Sequence, residues 1–305
     1  MLSLCLPIYN SDVRPLVRGL VAEAATLPVP VELLLLDDGS REELRRVNAE
    51  LAGLPGLRYE ELPQNVGRAA IRNRLAERAT QPYLIFMDSD MSLVGTGFLA
   101  RYLTVARAGA QVACGGHVYD AQPPERARRL HWRYGHTRET PPLAQRQAQP
   151  HRAFKTSNFL VQRDLMLRIG FDERLRHYGH EDTLFGFRLA EAGIPIVQLD
   201  NPLRHDEVET NAEFLRKTEL GLHNLHRMRQ DFDLPPAFDE SILLLRLVRR
   251  LEARRLRGLV RRLLSPALPP LRGWLLRGDA PLLWFNLYKL GVYLALDTPA
   301  LAEEQ

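Results

Sequence analysis

Continuous apolar runs alternate with helix-like segments through the first hundred residues of this 305-residue chain. Residues 2–9 (LSLCLPIY) and 31–38 (VELLLLDD) are built around continuous apolar runs, which are typical of strands covered on both faces of a parallel sheet. Between them, residues 13–26 carry leucine and valine at helical spacing. The same order recurs in a helix over 68–79 and a strand over 83–88. Alternation of this kind predicts a doubly wound α/β sheet.

Polar residues follow the predicted strands at their carboxyl ends. Tyr9 ends the first strand, a DDGS turn at 37–40 ends the second, and Asp88 and Asp90 follow the run LIFM. Ligands of doubly wound sheets bind outside these ends, so three polar ends at one edge predict a site. Taken alone, DDGS is as typical of a turn with a helix cap as of a binding site, and a single pair of acids is weak evidence for a binding site.

The composition is that of a globular protein, with 45% hydrophobic and 26% charged residues and a formal net charge of +4. Cys5 and Cys114 each lie inside a predicted strand, which favours buried thiols over a disulfide or metal site. No glycine-rich nicotinamide or Walker-type phosphate motif follows the first strand. Met1 runs directly into that strand without a basic leader, so the cytoplasm is the expected compartment.

Five ordered motifs cover about the first 210 residues. They read LPIYN, LLLLDDGS, NVGRAAIRN, YLIFMDSD and, from residue 155, KTSNFLVQRDLMLRIGFDERLRHYGHEDTLFGFRLAEAGIPI. In these motifs the chain resembles the family 2 glycosyltransferases, which have the GT-A fold and act on nucleotide sugars. Each motif alone is common, but their order and spacing together are specific. The resemblance implies a GT-A nucleotide-binding sheet with a mostly helical C-terminal extension.

The resemblance also assigns the donor nucleotide to the first strand ends. It implies that Asp38 accepts a hydrogen bond from the base and that Tyr9 lies near the base ring, with Pro7 in the same turn. Asp88 and Asp90 would hold the diphosphate through a divalent metal. Among the possible donor bases, the resemblance to this family favours uridine.

Electrostatics independently supports a cation beside these two acids. Bare carboxylates repel a diphosphate, so Asp88 and Asp90 can bind it only across an ion, and oxygen ligands suit Mg²⁺ or Mn²⁺. In an alternative arrangement, Asp88 contacts the ribose and Asp90 alone binds the ion. The resemblance implies His205 as a further ligand, with an ordinary polar loop residue as the equally weighted alternative.

Arg68 and Arg72 stand four residues apart near the start of a predicted helix. They share one helix face, and the backbone N–H groups of a helix start also favour anions. Both are therefore predicted to contact the diphosphate. The alternative is a solvated basic face.

Glu181 and Asp182 stand at the start of another predicted helix, where carboxylates are favourable caps. In the resembling family this pair supplies the general base, usually through its aspartate, so Asp182 is the predicted base and Glu181 the alternate. A sugar hydroxyl is a poor nucleophile and needs such a carboxylate within hydrogen-bond reach. Asn158 is predicted either to bind a sugar hydroxyl or to tie down the local backbone.

These residues predict metal-dependent transfer from a nucleoside-diphosphate sugar to a hydroxyl of a glycan or lipid-linked acceptor. The resemblance implies one in-line displacement with inversion. The Q-x-x-R-W motif of processive members is not found, which favours a non-processive enzyme. The alternatives are a non-catalytic GT-A-like module that binds nucleotide or glycan or recruits partners, and, less favoured, a nucleotidyltransferase.

The predicted catalytic domain spans residues 1–212, with a donor half at 1–115 and an acceptor half at 116–212, and a helical extension covers 213–305. Residues 119–152 are rich in arginine, histidine, glutamine and proline and are predicted to form an acceptor loop.

Arginine dominates residues 246–277, where Glu252 is the single acid. One long amphipathic helix is predicted over 242–264, with leucines on one face and arginines on the rest. The basic region 242–277 suits the inner face of an anionic membrane, to which the protein would bind peripherally. Packing on the catalytic domain and an oligomer contact are equally weighted alternatives. Nucleic-acid binding is not expected, because no recognised motif occurs and the catalytic half is nearly neutral.

Overall fold

A computed structural model describes residues 1–175 and 178–296, which form two compact units. The first unit comprises residues 1–120, 140–175 and 181–207. The second comprises residues 121–139, 178–180 and 208–296. The predicted functional boundary at residue 212 remains a prediction.

Ten strands lie in the first unit: β1 Leu2–Ile8, β2 Val31–Asp37, β3 Leu57–Glu61, β4 Tyr83–Met87, β5 Met91–Leu93, β6 Val112–Cys114, β7 His117–Val118, β8 Asn158–Gln162, β9 Ile196–Gln198 and β10 Leu203–His205. Seven of them form one sheet in the order β3-β2-β1-β4-β8-β6-β9, and the others form a small sheet in the order β5-β10-β7. Strands β1 to β4 pair in parallel, whereas β8 runs antiparallel to both of its neighbours.

The helices, in chain order, are α1 Arg14–Ala25, α2 Glu42–Ala49, α3 Arg68–Arg78, α4 Phe98–Arg107, α5 Arg129–Tyr134, α6 Leu143–Ala148, α7 Arg163–Ile169, α8 Glu181–Glu191, α9 Asn211–Asp231, α10 Pro236–Ser241, α11 Leu243–Ala253, α12 Arg257–Leu264, α13 Leu268–Leu276 and α14 Leu282–Ala295. None of the helices in the described ranges is long and apolar enough to cross a membrane.

The central strands are apolar on both faces because each face has its own core. Leu4 and Leu6 of β1 pack with the buried residues of α1 and α4, whereas Cys5 points into the core that α3 and α7 complete. Cys5 and Cys114 are both free and buried, and burial raises the pKa of each thiol. The predicted α/β sheet and helical C-terminal part are therefore confirmed.

The second unit is helical and has a separate core around Leu130, Phe214, Leu275 and Phe285. Its longest helix, α9, begins with a side-chain cap in which Thr210 Oγ1 accepts a hydrogen bond from the Glu213 N–H at 3.2 Å. Side-chain caps of this kind satisfy backbone donors that have no partner within the helix.

Two expectations about local structure were wrong. The segment 119–152 is not a plain loop, because it contains α5, a π-helical turn at Gly135–Glu139 and α6. The predicted single helix over 242–264 is two helices, α11 and α12, separated by a break at which Arg255 adopts a left-handed φ of 57°. That conformation cannot continue a right-handed helix.

Arg229 of α9 links three helices of the second unit. Its Nη1 and Nη2 donate to Glu252 of α11 at 2.9 and 2.7 Å, and its Nε donates to Asp239 of α10 at 3.1 Å. All three side chains are at most 28% exposed. A bidentate guanidinium–carboxylate pair with partial burial is among the stronger ion pairs.

We predict that Arg229→Ala lowers the free energy of unfolding by about 2 kcal/mol or more, because Asp239 and Glu252 both lose this partly buried cation, although Glu252 keeps its pair with Arg257. Urea unfolding followed by circular dichroism measures the loss. The control Arg216→Ala removes an exposed pair with Glu213 on the same helix and should cost less than about 1 kcal/mol. Equal losses in the two variants would contradict the prediction.

Candidate active site

The carboxyl ends of β1, β2 and β4 lie along one edge of the large sheet. Ile8 of β1 pairs with Asp37 of β2, and Cys5 of β1 pairs with Phe86 of β4. The residues that follow β4 therefore run alongside the end of β1. This register brings together the three polar strand ends of the sequence.

Asn10 ties the ends of β1 and β2 together. Its N–H donates to Ser40 Oγ at 2.8 Å, and its Oδ1 accepts a hydrogen bond from the Arg41 N–H at 2.9 Å. Asn10 has a left-handed φ of 54°, a conformation that asparagine tolerates better than most residues. The sequence placed Asn10 with Tyr9 at the polar end of the first strand, but it did not predict these hydrogen bonds. The Tyr9 side chain is half exposed at this edge.

Asp38 holds the chain segment before α3. Its Oδ1 and Oδ2 accept hydrogen bonds from the backbone N–H groups of Val66 and Gly67 at 2.7 and 3.1 Å. Burial raises the pKa of Asp38, and the two backbone bonds counteract that shift in part. The neighbouring Asp37 accepts from the Ser40 N–H at 2.7 Å, and its Oδ2 is buried without a hydrogen-bond partner in the structure.

Asp88 is paired with both of the predicted phosphate-binding arginines. Arg72 Nη2 lies 2.5 Å from Asp88 Oδ1, and Arg68 Nη2 lies 3.2 Å from Oδ2. Burial alone would raise the pKa of Asp88, but the two guanidinium groups outweigh it, and the net pKa is lowered. Arg72 is almost fully buried, and its Nε has no hydrogen-bond partner in the structure. Both arginines therefore lie beside Asp88, and their contact with a diphosphate remains a prediction.

Asp90 and His205 are brought together by the small sheet. His205 of β10 pairs with Met91 of β5 in antiparallel register, and the Asp206 N–H donates to the Asp90 carbonyl oxygen at 3.1 Å. His205 Nε2 lies 3.4 Å from Asp90 Oδ2, and the ring of Tyr119 stacks on the imidazole with centroids 5.2 Å apart. His205 is thus fixed beside the acids.

The residues present fit a divalent cation that also takes ligands from its substrate. Asp90 Oδ1 is buried and has no hydrogen-bond partner in the structure, and burial raises the pKa of this carboxyl. Within residues 1–175 and 178–296, no three histidine, cysteine or acidic side chains form a metal cluster by themselves. Mg²⁺ and Mn²⁺ commonly use one or two protein carboxylates and complete their shell with phosphate oxygens and water.

Glu181 and Asp182 begin α8 but have different partners. Glu181 is buried and accepts from Arg68 Nε at 2.7 Å, so Arg68 bridges Glu181 and Asp88. Asp182 Oδ2 accepts from Lys155 Nζ at 2.9 Å, and its Oδ1 accepts from the Thr183 N–H at 2.6 Å. Sequence reasoning gave Lys155 no role, because 27 residues separate it from Asp182.

Asn158 makes the hydrogen bonds of a structural residue. Its Nδ2 donates to the carbonyl oxygens of Gly116 and Asn201 at 2.7 and 2.8 Å, and its Oδ1 accepts from Tyr102 Oη at 2.7 Å. A Cβ atom at Gly115 would lie 2.5 Å from Nδ2, so the network needs glycine there. Of the two roles left open for Asn158, these contacts favour backbone support.

The sequence signature called Glycosyl transferase family 2 matches residues 3–171, which is more than half of the chain. The chain belongs to the family 2 glycosyltransferases. The predicted family is thereby confirmed.

Two curated relatives of this family 2 glycosyltransferase align with it in part. Chondroitin synthase of Escherichia coli is 24% identical over 225 residues, covering 63% of this chain and 32% of that protein. Validoxylamine A glucosyltransferase of Streptomyces hygroscopicus subsp. limoneus is 30% identical over 229 residues, covering 64% of this chain and 49% of that protein. The alignments thus span a third to a half of these relatives.

Solved structures share the fold. A mannosyltransferase from Pyrobaculum calidifontis, solved with GDP-Man and Mn²⁺, has a TM-score of 0.62 at 17% identity over 99% of this chain and 88% of its own. S. aureus TarS 1-349 in complex with UDP-GlcNAc has a TM-score of 0.50 at 15% identity over 97% of this chain and 91% of its own. The GT-A architecture of this family 2 glycosyltransferase is therefore confirmed.

We predict that Asn158→Ala lowers the free energy of unfolding by about 2–4 kcal/mol, because two buried carbonyls and one hydroxyl lose their partner. Urea unfolding measures this loss. The exposed Asn65 provides a control, since Asn65→Ala should cost less than about 0.5 kcal/mol. A stable Asn158→Ala protein with a raised KM would instead favour a sugar contact.

Proposed function

We propose that the chain is a non-processive, metal-dependent glycosyltransferase that inverts the anomeric centre. It transfers a sugar from a nucleoside diphosphate, with UDP favoured, to a hydroxyl of a glycan or lipid-linked acceptor. The observation that carries the proposal is the Asp90–His205 pair. Its buried, unpartnered carboxylate oxygen lies beside a second acid that two arginines neutralise. A divalent cation would bind the free oxygen of Asp90, and an anionic ligand that arrives with the cation would bind the arginines.

The nucleoside is proposed to bind at the ends of β1 and β2. Tyr9 offers an exposed ring for the base, and Pro7 shapes the same strand end. Asp38 remains the proposed acceptor of a base N–H, since each carboxylate oxygen can take a second hydrogen bond. Asp37 is a further candidate because its Oδ2 has no partner in the described chain.

Arg68 and Arg72 are proposed to receive the diphosphate. Arg72 is held rigidly, with its Nη1 donating to the Arg68 carbonyl oxygen at 2.9 Å. Arg68 is more exposed, with 41% of its side chain accessible, and can turn from Asp88 towards a phosphate. Fixed cations beside a leaving diphosphate stabilise the charge that develops as its bond to the sugar breaks.

Asp88, Asp90 and His205 are the proposed metal ligands, with Asp88 contacting ribose in the alternative arrangement. A bound Mn²⁺ or Mg²⁺ would add positive charge at the leaving oxygens. The complexes of the structural relatives, GDP-Man with Mn²⁺ in one and UDP-GlcNAc in the other, support a nucleotide-sugar donor here as well.

Asp182 is the proposed general base, and its contacts favour it over Glu181. Glu181 is buried against Arg68, whereas the Asp182 side chain is 18% exposed. As the acceptor oxygen bonds to the anomeric carbon and the bond to the diphosphate breaks, the hydroxyl proton passes to an Asp182 oxygen. Lys155 and the Thr183 N–H orient that carboxylate. A single displacement of this kind inverts the anomeric centre and leaves no covalent intermediate.

We predict that Asp90→Asn weakens metal-dependent nucleotide binding at least tenfold, because the ion loses a charged ligand. Calorimetric titration with UDP, GDP and dTDP, with and without Mn²⁺, measures the effect and identifies the base. Asp164→Asn changes an exposed acid on α7 and should leave the affinity unchanged. If folded wild-type protein bound none of these nucleotides under any metal condition, the proposed donor site would be wrong.

Asp182→Asn should retain nucleotide binding but lower the rate of transfer by about 10²–10⁴-fold, because the general base is removed. Single-turnover assays on the acceptor identified by a glycan screen measure the rate. Binding without turnover in the wild-type protein would instead favour the non-catalytic GT-A-like module.

Lys155→Met should lower kcat by about 10- to 100-fold while the nucleotide affinity stays the same, because a misplaced base is less effective. Lys155→Arg keeps the charge and should restore part of the rate. An equal loss of nucleotide affinity in Lys155→Met would show that Lys155 acts on the donor instead.

A further inference from the structure

Large exposed apolar side chains concentrate in the C-terminal helices of the second unit. Among the described residues, eight of the fourteen lie between residues 243 and 284. Leu243, Leu259 and Leu263 are 60%, 54% and 66% exposed. Single exposed leucines are ordinary on protein surfaces, but a group of them on neighbouring helices indicates a binding surface.

These leucines lie on helix faces that the unit does not use for its own core. In α11, Leu243 and Leu247 are four residues apart and share one face, while Leu245 and Val248 are buried. In α12, Leu259 and Leu263 share one face in the same way. The neighbouring Leu264 faces α14 instead. A Cβ atom added at Gly291 of α14 would lie 3.4 Å from the Leu264 Cβ.

Arginines stand among the exposed leucines on the same faces. Arg250 lies three residues after Leu247, and Arg262 lies three residues after Leu259, so each arginine is on the face of its leucine. We call the set formed by Leu243, Leu247, Arg250, Leu259, Arg262 and Leu263 the basic leucine surface.

The charge around this surface is strongly positive. Ten arginines and a single acid, Glu252, occur between residues 246 and 277. Glu252 is already paired with Arg229 and Arg257 at 2.7 Å each. The long arginine side chains can lay their methylene groups along apolar material and keep their charges at a polar boundary.

Two exposed tryptophans add large apolar side chains on α13 and α14. The rings of Trp274 and Trp284 are 5.4 Å apart, and each residue is 37% exposed. Tryptophan is enriched where a protein meets the boundary between lipid headgroups and acyl chains.

We propose that the basic leucine surface binds the surface of an anionic phospholipid bilayer. The leucines enter the headgroup–acyl boundary, and the arginines remain at the phosphates. The mixture of charge and apolar side chains favours this occupant over a second copy of the chain. In a two-fold contact the same patch meets itself, and the basic leucine surface contains arginines but no acid with which a second copy could pair them. The inference does not depend on the proposed transfer activity.

Vesicle co-sedimentation of the full chain tests the proposal. The probes are phosphatidylcholine vesicles with and without 30% phosphatidylglycerol, at 0.05 and 0.5 M NaCl. We expect binding to the anionic vesicles only, and weaker binding at the higher salt concentration, because salt screens the arginines. Equal binding to both vesicle types, or no binding to either, would overturn the proposal.

Matched variants separate the apolar and the electrostatic contributions. Leu259→Gln with Leu263→Gln should weaken the partition coefficient about tenfold per leucine, whereas Leu167→Gln, which changes a leucine of α7 that is 44% exposed, should not. Arg250→Gln and Arg262→Gln together should weaken it about fivefold per arginine. The charge-matched control combines two arginine-to-glutamine changes at exposed positions in the first unit, Arg18 and Arg107.

Sedimentation velocity without vesicles supplies the remaining test. A concentration-dependent dimer that disappears in the leucine variants, without any vesicle binding, would assign the basic leucine surface to self-association and overturn the proposal. Circular dichroism and nucleotide titration of every variant verify that the fold and the donor site are intact. Unchanged vesicle binding in the folded leucine variants would also be decisive against the proposal.

Discussion

Parallel pairing of β1 with β2 and β4 determines where chemistry can occur in this protein. The strands share apolar faces on both sides, so their polar residues can only lie at the ends. The backbone register then brings Tyr9, Asp38 and Asp88 to the same edge. Every charged group in the proposed donor site either lies at this edge or is carried to it by a helix or strand that packs on the sheet.

The two acids that follow β4 differ in how far the protein itself balances their charge. Asp88 is nearly surrounded by protein, a position that a carboxylate tolerates only with a cation nearby, and two guanidinium groups supply that charge. Asp90 instead lies beside the imidazole of His205, whose Nε2 is 3.4 Å from its Oδ2. Two acids separated by a single serine therefore have different surroundings, which suits one to an arginine-bound or ribose-contacting role and the other to a metal.

The sequence contained enough information for the sheet, because apolar runs and helical spacing are local patterns. It also indicated the strand-end acids and the arginines of α3, whose roles remain proposals. Other contacts depend on pairs distant in the chain. The resemblance grouped His205 with Asp90, but the antiparallel register of β5 and β10 that joins them is not a local pattern. The Lys155–Asp182 pair joins two separate segments. The break at Arg255 was missed because nothing in the arginine–leucine pattern distinguishes a left-handed residue from a helical one.

Arg68 belongs at once to the donor side and to the acceptor side of the proposed site. Its Nη2 contacts Asp88 after β4, and its Nε contacts Glu181, the residue beside the proposed base. A phosphate that draws this guanidinium away leaves Glu181 with one partner fewer, at the start of the helix that carries Asp182. Two ligands that compete for or release the same side chain have linked binding free energies, and the linkage is reciprocal. Under the proposed roles, a donor phosphate bound to Arg68 would therefore change the free energy of acceptor binding at α8, and an acceptor would change that of the donor by the same amount.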